Sequence, residues 1–440
     1  MTSELKNFLI HSNILQKTLL ILLILLPIAL ATSIFVSDLI ALLISTVIII
    51  IIIKEGRNTF SFIIFKWPII IMIVFYSIII ISLVYSIKFE LSFLPSFFYF
   101  RFFLMSWGIY YIIKHNEFAL HALLYTLLIV FFLIIFDSII QYTFGQNIFG
   151  YKLQSYGTGK NALTLITSFF NEEKKLGSFV MRILPLILSL IIYLDLKFFK
   201  KIHINTVIIF FTAFIILYST ERTPLLMFGI FIIFYLKILK KKLLIVSCMV
   251  SLIFAFLFIS DKHFNKLING SLAQLTIIKF HSDHKKQKKD FSSIKYYSTE
   301  HQNLVLTAFY IFKKSPLVGT GVKSYREACH NTDFLDYICT THPHSTYPQI
   351  LAELGFFGFL VVLYVLFYFL YINIKIIINN FRNDNLIMSF YILNTGIIIN
   401  LVPFIPSGSF FNNWISLMIF LPLGFWLYLF MKIKQKKIIS

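Results

Sequence analysis

The fold is decided near the start of the chain by TLLILLILLPIALATSIFVSDLIALLISTVIIIIII, residues 18–53, in which Asp38 is the one charged residue. Similar apolar runs recur throughout the 440 residues, of which 58% are hydrophobic and only 13% charged. A run of about 18 or more apolar residues is long enough for a helix to cross a bilayer. The sequence therefore predicts an all-α polytopic membrane protein, beginning with a helical hairpin that is retained rather than cleaved as a signal peptide.

The apolar runs predict twelve membrane spans, at 18–35, 38–53, 64–86, 96–113, 118–142, 178–195, 204–219, 223–239, 243–260, 356–378, 386–403 and 412–431. Lys and Arg concentrate in every second loop, and cytoplasmic loops of membrane proteins collect these residues. This asymmetry predicts cytoplasmic termini and two long loops, 143–177 and 261–347, that face outward. The same bias accounts for the net charge of +20 without a nucleic-acid partner.

This topology divides the chain into three parts. Residues 1–260 hold spans one to nine with a periplasmic loop at 143–177, residues 261–355 form the large periplasmic loop, and residues 356–440 hold three spans and a basic cytoplasmic tail. In the large loop, 281–295 is a charged, solvated stretch. An amphipathic helix is predicted to open near Ser298 and to lie along the membrane surface, with an apolar face of Leu304, Thr307, Ala308 and Ile311.

Two cysteines of the large loop, Cys329 and Cys339, lie ten residues apart on the predicted periplasmic side. An oxidising periplasm permits a disulfide between them, and two free thiols are the alternative. The disulfide is favoured, because it would tie the loop down just before the histidines at 342 and 344.

Arginine is rare in this chain, with six among 39 basic residues, and four of the six lie toward the predicted outer side. These four are Arg101, Arg182, Arg222 and Arg326. The planar guanidinium suits a phosphate better than the Lys ammonium does, so together the four indicate a phosphate-binding surface. Each alone is equally compatible with a snorkelling or paired side chain. Arg101 and Asp137 lie at similar depth in neighbouring spans and could pair, in a structural or a functional role.

The stretch THPHSTYP, residues 341–348, places His342 and His344 where a polar loop meets an apolar helix. Ser345 or Thr346 can cap that helix, whose first turn holds Pro348. No Cys, Asp or Glu cluster completes a metal site, so no metal is predicted. A general base and a simple helix cap remain equally supported for His344 by these residues alone.

Several motifs together resemble the signature of the O-antigen ligases and the related O-antigen polymerases. PLVGTG, residues 316–321, is followed about twenty residues later by HPHSTYPQILAELGFFG, residues 342–358. SFFNEEKKLGSFVMRILPL at 168–186 and ERTPLL at 221–226 resemble two further stretches of the family. Twelve spans with one large periplasmic loop before the tenth also match the family.

The resemblance implies transfer of a glycan from undecaprenyl pyrophosphate, without metal or cofactor, to a lipid A–core sugar in ligases or to a second lipid-linked repeat unit in polymerases. Arg222 matches the family's pyrophosphate-binding arginine and His344 its proposed base, with His342 in reserve. The position of a second family arginine is occupied here by His301. The pyrophosphate-binding role of that arginine is then taken by His301, Arg326 or Lys323, or is missing. Ser345 replaces the family's Asn. The ligase is preferred, with the polymerase as the alternative; a transporter is more distant, because no repeat between halves is evident.

Overall fold

The secondary structure is taken from a computed structural model, which describes residues 8, 10, 12–56, 65–156, 163–171, 173–196, 203–238, 299–330, 339–379, 384–403 and 405–436. Its helices are α1 (Ile14–Thr32), α2 (Ile34–Glu55), α3 (Lys66–Val84), α4 (Phe89–Phe97), α5 (Phe100–His115), α6 (Phe118–Phe144), α7 (Leu176–Leu194), α8 (Ile204–Tyr218), α9 (Arg222–Ile238), α10 (Thr299–Lys314), α11 (Tyr325–His330), α12 (Thr346–Ile378), α13 (Asn385–Leu401) and α14 (Asn413–Gln435). Between α6 and α7, β1 (Gln154–Tyr156) pairs antiparallel with β2 (Leu163–Leu165), and a 3-10 turn (Ser168–Phe170) follows.

The predicted all-α polytopic membrane fold is confirmed. Within the described residues, eight helical segments are long and apolar enough to cross a bilayer, and α8 and α13 are shorter apolar helices. Helices suit this setting because they satisfy their own backbone hydrogen bonds in lipid. Eleven of the predicted spans coincide with a helix, while the ninth span at 243–260 and the charged stretch at 281–295 lie outside the described residues. The total of twelve crossings stays a prediction.

Hydroxyl groups join neighbouring helices inside the bundle. Ser106 on α5 donates to the Phe420 carbonyl on α14 at 2.7 Å, and Ser189 on α7 exchanges hydrogen bonds with Ser389 on α13 at 2.7–2.9 Å. Small hydroxyl residues let helices approach closely, and their polar groups are satisfied across the interface. These contacts fix α7, α13 and α14, whose ends carry the candidate site.

The amphipathic helix of the large loop is present as α10, and its four predicted apolar positions are all buried. The expectation that this face rests on the membrane surface is wrong for Ala308 and Ile311. They pack instead with Tyr325 and Cys329 of α11 and Ala352 of α12. Protein covers this face because the chain turns back after α10 and lays α11 and the start of α12 against it.

The PLVGTG turn docks on a break in α12. Gly355 interrupts that helix with a φ of 68°, and the Phe356 N–H donates to the Pro316 carbonyl at 2.8 Å. Gly319, with a φ of 71°, faces the backbone of Glu353, and the Gly321 N–H donates to the Glu353 carbonyl at 3.0 Å. Only glycine allows both the positive φ and this backbone-to-backbone approach. The two motifs are therefore the two halves of one contact.

Replacing Gly355 by alanine is expected to loosen this contact and to lower the thermal unfolding midpoint of the purified protein. The new Cβ would lie 2.4 Å from the Leu317 carbonyl carbon, and a backbone at φ 68° and ψ −164°, which essentially only glycine adopts, costs an L-residue roughly 1–3 kcal/mol. Gly229→Ala on α9 is the matched control, since no atom of the described residues lies within 4 Å of a Cβ there. Equal midpoints for the two variants would contradict the argument.

The predicted pairing of Arg101 with Asp137 is wrong. Arg101 instead makes a two-pronged contact with Asp38 of α2, from Nε to Oδ1 at 2.8 Å and from Nη2 to Oδ2 at 3.2 Å. The buried Asp137 carboxylate accepts from the side chains of Asn147 and Ser168 and from the Ile148 N–H. Because α2 packs directly on α5, Asp38 is the nearer partner, and neutral donors of the following loop satisfy Asp137.

Candidate functional site

The turn that carries the histidines, residues 340–345, leads into α12 with His344 in the left-handed region, at a φ of 50°. The Ser407 N–H donates to the His344 carbonyl at 2.8 Å, and Ser345 pairs with Pro406 in an antiparallel bridge. Ser345 occupies the N-cap position with an extended backbone, but its side chain makes no capping hydrogen bond. The turn is therefore fixed by the segment 405–407, which joins α13 to α14.

Three imidazoles meet at this turn. The His344 ring centroid lies 4.1 Å from that of His342 and 5.9 Å from that of His301 on α10. Nδ1 of His342 is hydrogen-bonded to the Thr341 hydroxyl at 2.9 Å, and its Nε2 is buried without a hydrogen-bond partner among the described residues. The predicted site residues His301, His342 and His344 thus lie together, although His301 comes from a different helix.

Burial keeps the two histidines of the turn neutral. It lowers the pKa of His342 to about 4, with the neighbouring His344 as a further cause. Burial also lowers the pKa of His344, and the electrostatic interaction with His301 adds to this effect. A neutral imidazole can accept a proton, so His344 has the protonation state that a general base needs near neutral pH.

Arg222 is the exposed first residue of α9, and the residue before it, Glu221, was not predicted from the sequence. The Glu221 carboxylate accepts from the Gly177 N–H at 2.6 Å and from the Ser178 N–H and hydroxyl at 3.1 and 2.7 Å. It thereby caps the start of α7, where a carboxylate is favourable. This contact joins the KKLGS and ERTPLL motifs, with Arg222 at their junction.

Lys174, Arg182 and Arg222 are placed around Glu221. Burial lowers the pKa of Lys174. The charge of Glu221 acts against this lowering, and the charge of Arg222 adds to it. Burial raises the pKa of the Glu221 carboxyl, opposed by its hydrogen bonds from Ser178 and Gly177 and by the charge of Arg182. We call this cluster of Lys174, Arg182, Glu221 and Arg222 the Glu221 corner. Its three cations and one carboxylate leave a net positive charge, so it can bind an anion.

Arg182 is buried within the helix packing rather than exposed beside Arg222. Its Nη1 donates to the Ser178 carbonyl at 3.2 Å, while Nε has no hydrogen-bond partner among the described residues. Arg182 and Asn400 line one small cavity between α7, α13 and α14. Arg182 is therefore buried on the protein side of Glu221, and its charge interacts with the Glu221 carboxylate.

The segments that carry Arg222 and His344 meet on neighbouring residues of the segment 405–407. The Thr223 hydroxyl donates to the Pro406 carbonyl at 2.8 Å, and the next residue, Ser407, holds the His344 carbonyl. Sequence reasoning missed this connection, because it runs through backbone groups that no residue pattern marks. It brings the backbone segments that carry Arg222 and His344 to adjacent residues of the link between α13 and α14.

Lys323 and Arg326 belong to the segment that follows the PLVGTG turn. Arg326 is exposed on α11, and its neighbour Glu327 pairs with Lys88 at 3.5 Å. Lys323 is half-buried, and burial lowers the pKa of its ammonium, which Glu353 opposes. Lys323 therefore lies near Glu353 of the PLVGTG contact, whereas the carboxylate of Glu221 lies at the start of α7.

Cys329 and Cys339 form a disulfide, with their Cα atoms 5.7 Å apart. The bond joins α11 to the strand of chain that leads into the histidine turn, where the Thr340 hydroxyl donates to the His342 carbonyl at 2.6 Å. It therefore ties the turn to the helices on which α10 packs, and His301 lies on α10.

Among the described residues, no three His, Cys, Asp or Glu side chains converge in an arrangement that could hold a metal ion. A family model described as O-antigen ligase matches residues 207–363. A search of curated proteins finds no match. The matched segment runs from α8 to the middle of α12 and includes Arg222, His301, the PLVGTG turn and both histidines of the turn. Over this segment the chain is similar to the O-antigen ligase family.

Proposed function

We propose that the protein is an O-antigen ligase-type glycosyltransferase, which moves a glycan from undecaprenyl pyrophosphate to a sugar hydroxyl of lipid A–core. The observation that carries the proposal is the attachment of the Arg222 and His344 segments to adjacent residues, Pro406 and Ser407. A cation for the leaving group and a base for the acceptor are the two groups that this transfer requires.

In the proposed reaction the acceptor oxygen attacks the anomeric carbon while His344 takes its proton. The bond between that carbon and the pyrophosphate oxygen breaks, and the pyrophosphate leaves with an additional negative charge. Arg222 stabilises this charge by a two-pronged hydrogen bond, with Lys174 and the buried Arg182 adding to the field. Attack from the face opposite the pyrophosphate inverts the anomeric centre.

Glu221 makes the cationic corner compatible with folding. Without a counter-charge, Lys174, Arg182 and Arg222 would repel each other at the boundary of the bilayer, where charges are costly. One carboxylate relieves this repulsion and leaves a net charge of about two positive units, counted from three cations and one anion. A pyrophosphate brings the complementary negative charge.

The positive-inside bias and the disulfide support placement of this site on the periplasmic side of the inner membrane, with both termini cytoplasmic. The three-part division at 1–260, 261–355 and 356–440 belongs to the same proposal. In it the large loop supplies His301, His342 and His344, and the bundle supplies Arg222 and Arg182.

Two experiments test the function. The purified protein in liposomes is given a lipid-linked glycan together with either lipid A–core or a second lipid-linked repeat unit, and the product is resolved on a gel. In parallel, the surface polysaccharide of a deletion strain is examined. Long chains left on the carrier support the ligase, single capped repeats support the polymerase, and an unchanged glycan supports transport instead.

Transfer is expected to decline at acid pH with a midpoint below the ordinary histidine pKa of about 6.5. The His344 base works when neutral, and because burial and His301 lower its pKa, it protonates only at a pH below that value. His301→Asn removes one of these causes, so the midpoint should move to higher pH, whatever happens to the maximal rate. The midpoint is read from kcat/KM against pH, and an unshifted midpoint in this variant would contradict the assignment.

A further inference from the structure

The segment 405–407 is a bridge between the two halves of the candidate site. On one side it holds the histidine turn: the Ser407 N–H donates to the His344 carbonyl at 2.8 Å, and the Ser407 and Thr346 hydroxyls are 2.9 Å apart. On the other side it holds the first turn of α9 through the Thr223 hydroxyl, which donates to the Pro406 carbonyl at 2.8 Å.

The histidine side of this bridge is further fixed by a buried amide. Gln349 of α12 donates from Nε2 to the Ser409 hydroxyl at 2.9 Å and accepts the Phe410 N–H at 2.9 Å. Its Nε2 also donates to the Glu353 carboxylate at 3.1 Å. Consecutive contacts along 406–410 therefore set this strand of chain against α12, and it cannot shift without breaking several hydrogen bonds.

On the arginine side, the side chain of Thr223 attaches the start of α9 to the segment 405–407. α9 packs along α13, which fixes the axis of the helix, and the Thr223 hydroxyl sets its first turn against Pro406. Arg222 lies between this hydroxyl and Glu221, which is anchored on α7. The backbone of Arg222 is thus fastened on both sides, toward α7 and toward the histidine turn.

We propose that Thr223 is a positioning residue, which sets the placement of Arg222 relative to His344 through the segment 405–407. The inference rests on the proposed function, since it concerns the distance between the leaving-group cation and the base. Its physical reason is that both groups must reach one sugar at once, and a misplacement of about 1 Å can cost roughly 100-fold in rate.

The test uses Thr223→Val, which keeps the shape of the side chain and removes the hydroxyl. In the liposome transfer assay we expect kcat to fall roughly 10- to 100-fold with the donor KM nearly unchanged, because orientation matters most in the transition state. Thr223→Ser retains the hydroxyl and should restore most of the rate. Thr126→Val is the matched control, since the buried Thr126 hydroxyl donates only to the Ala122 carbonyl of its own helix among the described contacts.

A second arm separates positioning from general destabilisation. In an Arg222→Lys background, Thr223→Val should lower the rate by less than about twofold. Thr223 acts through the Arg222 guanidinium, so its substitution has little further effect once that group is gone, and the two losses are not additive. The same fold loss in both backgrounds, a wild-type rate for Thr223→Val, or no recovery with Thr223→Ser would each overturn the proposal. A fully active Arg222→Lys protein would also overturn it, because the placement of the guanidinium would then not matter, whereas an inactive wild-type protein would instead overturn the proposed function.

Discussion

Replacing His344 by asparagine is expected to lower the transfer rate by about 10²–10⁴-fold, the usual contribution of a general base. The variant should remain folded and inserted, because the turn is held by backbone contacts with Pro406 and Ser407 rather than by the imidazole. The measurement is single-turnover transfer in liposomes, alongside the thermal unfolding midpoint of the same preparation.

Asparagine is the informative substitution at this position. His344 has a φ of 50°, a conformation that asparagine accepts readily and alanine does not, so His344→Ala would combine lost chemistry with backbone strain. His330→Asn is the matched control, since His330 is exposed at the end of α11 on the same side of the molecule. Transfer at the wild-type rate by His344→Asn would remove the base from the mechanism.

His342 provides a second comparison within the same turn. Burial lowers the pKa of His342 to about 4, so its imidazole is a weak base in the neutral range. Its Nδ1 is already engaged with the Thr341 hydroxyl. In keeping with its predicted role as a secondary base, we expect a much smaller loss of rate for His342→Asn than for His344→Asn.

The membrane fold could be predicted from sequence because its signal is local. A run such as 38–53 has to be a helix in lipid, whatever surrounds it, and α2 coincides with that run. The break of α12 at Gly355 was harder to see, since a glycine inside an apolar run is common in membrane helices. Its cause is the PLVGTG turn some 35 residues earlier, which is a tertiary contact.

Partner choice was the part of the site that sequence could not supply. Arg101 and Asp137 have suitable depth and charge, but helix packing places Arg101 on Asp38. Glu221 stands next to Arg222 in the chain, and its role became visible only when α7 presented the N–H groups of Gly177 and Ser178 to it. Depth and charge are properties of one helix, whereas pairing depends on the rotation of two.

The histidine cluster could be predicted from the sequence only in part. His342 and His344 are neighbours in sequence, and Pro348 indicates the helix start beside them. His301 was placed by its spacing from Pro316 in the family pattern, and it does lie 5.9 Å from the His344 ring. The packing of α10 on α12 accounts for this approach. The lowering of the His344 pKa by burial and by His301 could not be predicted from the sequence, because it depends on how these residues are arranged in three dimensions.

Replacing Arg222 by lysine is expected to lower kcat by about 10²–10³-fold, the range seen when one preorganised donor to a developing anion is removed. The ammonium keeps the charge but cannot copy the two-pronged hydrogen bond to a phosphate oxygen pair. Because Arg222 is exposed, the substitution opens no cavity in the helix packing, and the unfolding midpoint should change little. Donor KM and kcat are measured separately, so that lost binding is distinguished from lost transition-state stabilisation.

Arg222→Gln extends the same argument by removing the charge altogether, and it should be at least as impaired as Arg222→Lys. Lys237→Gln removes a charge from the opposite end of α9, where the side chain is also exposed, and should transfer at the wild-type rate. Equal activity of Arg222→Lys and wild type would mean that a point charge suffices at this corner. The pyrophosphate would then be recognised by the net field of Lys174, Arg182 and residue 222 rather than by guanidinium geometry, and the rate should fall steeply with added salt.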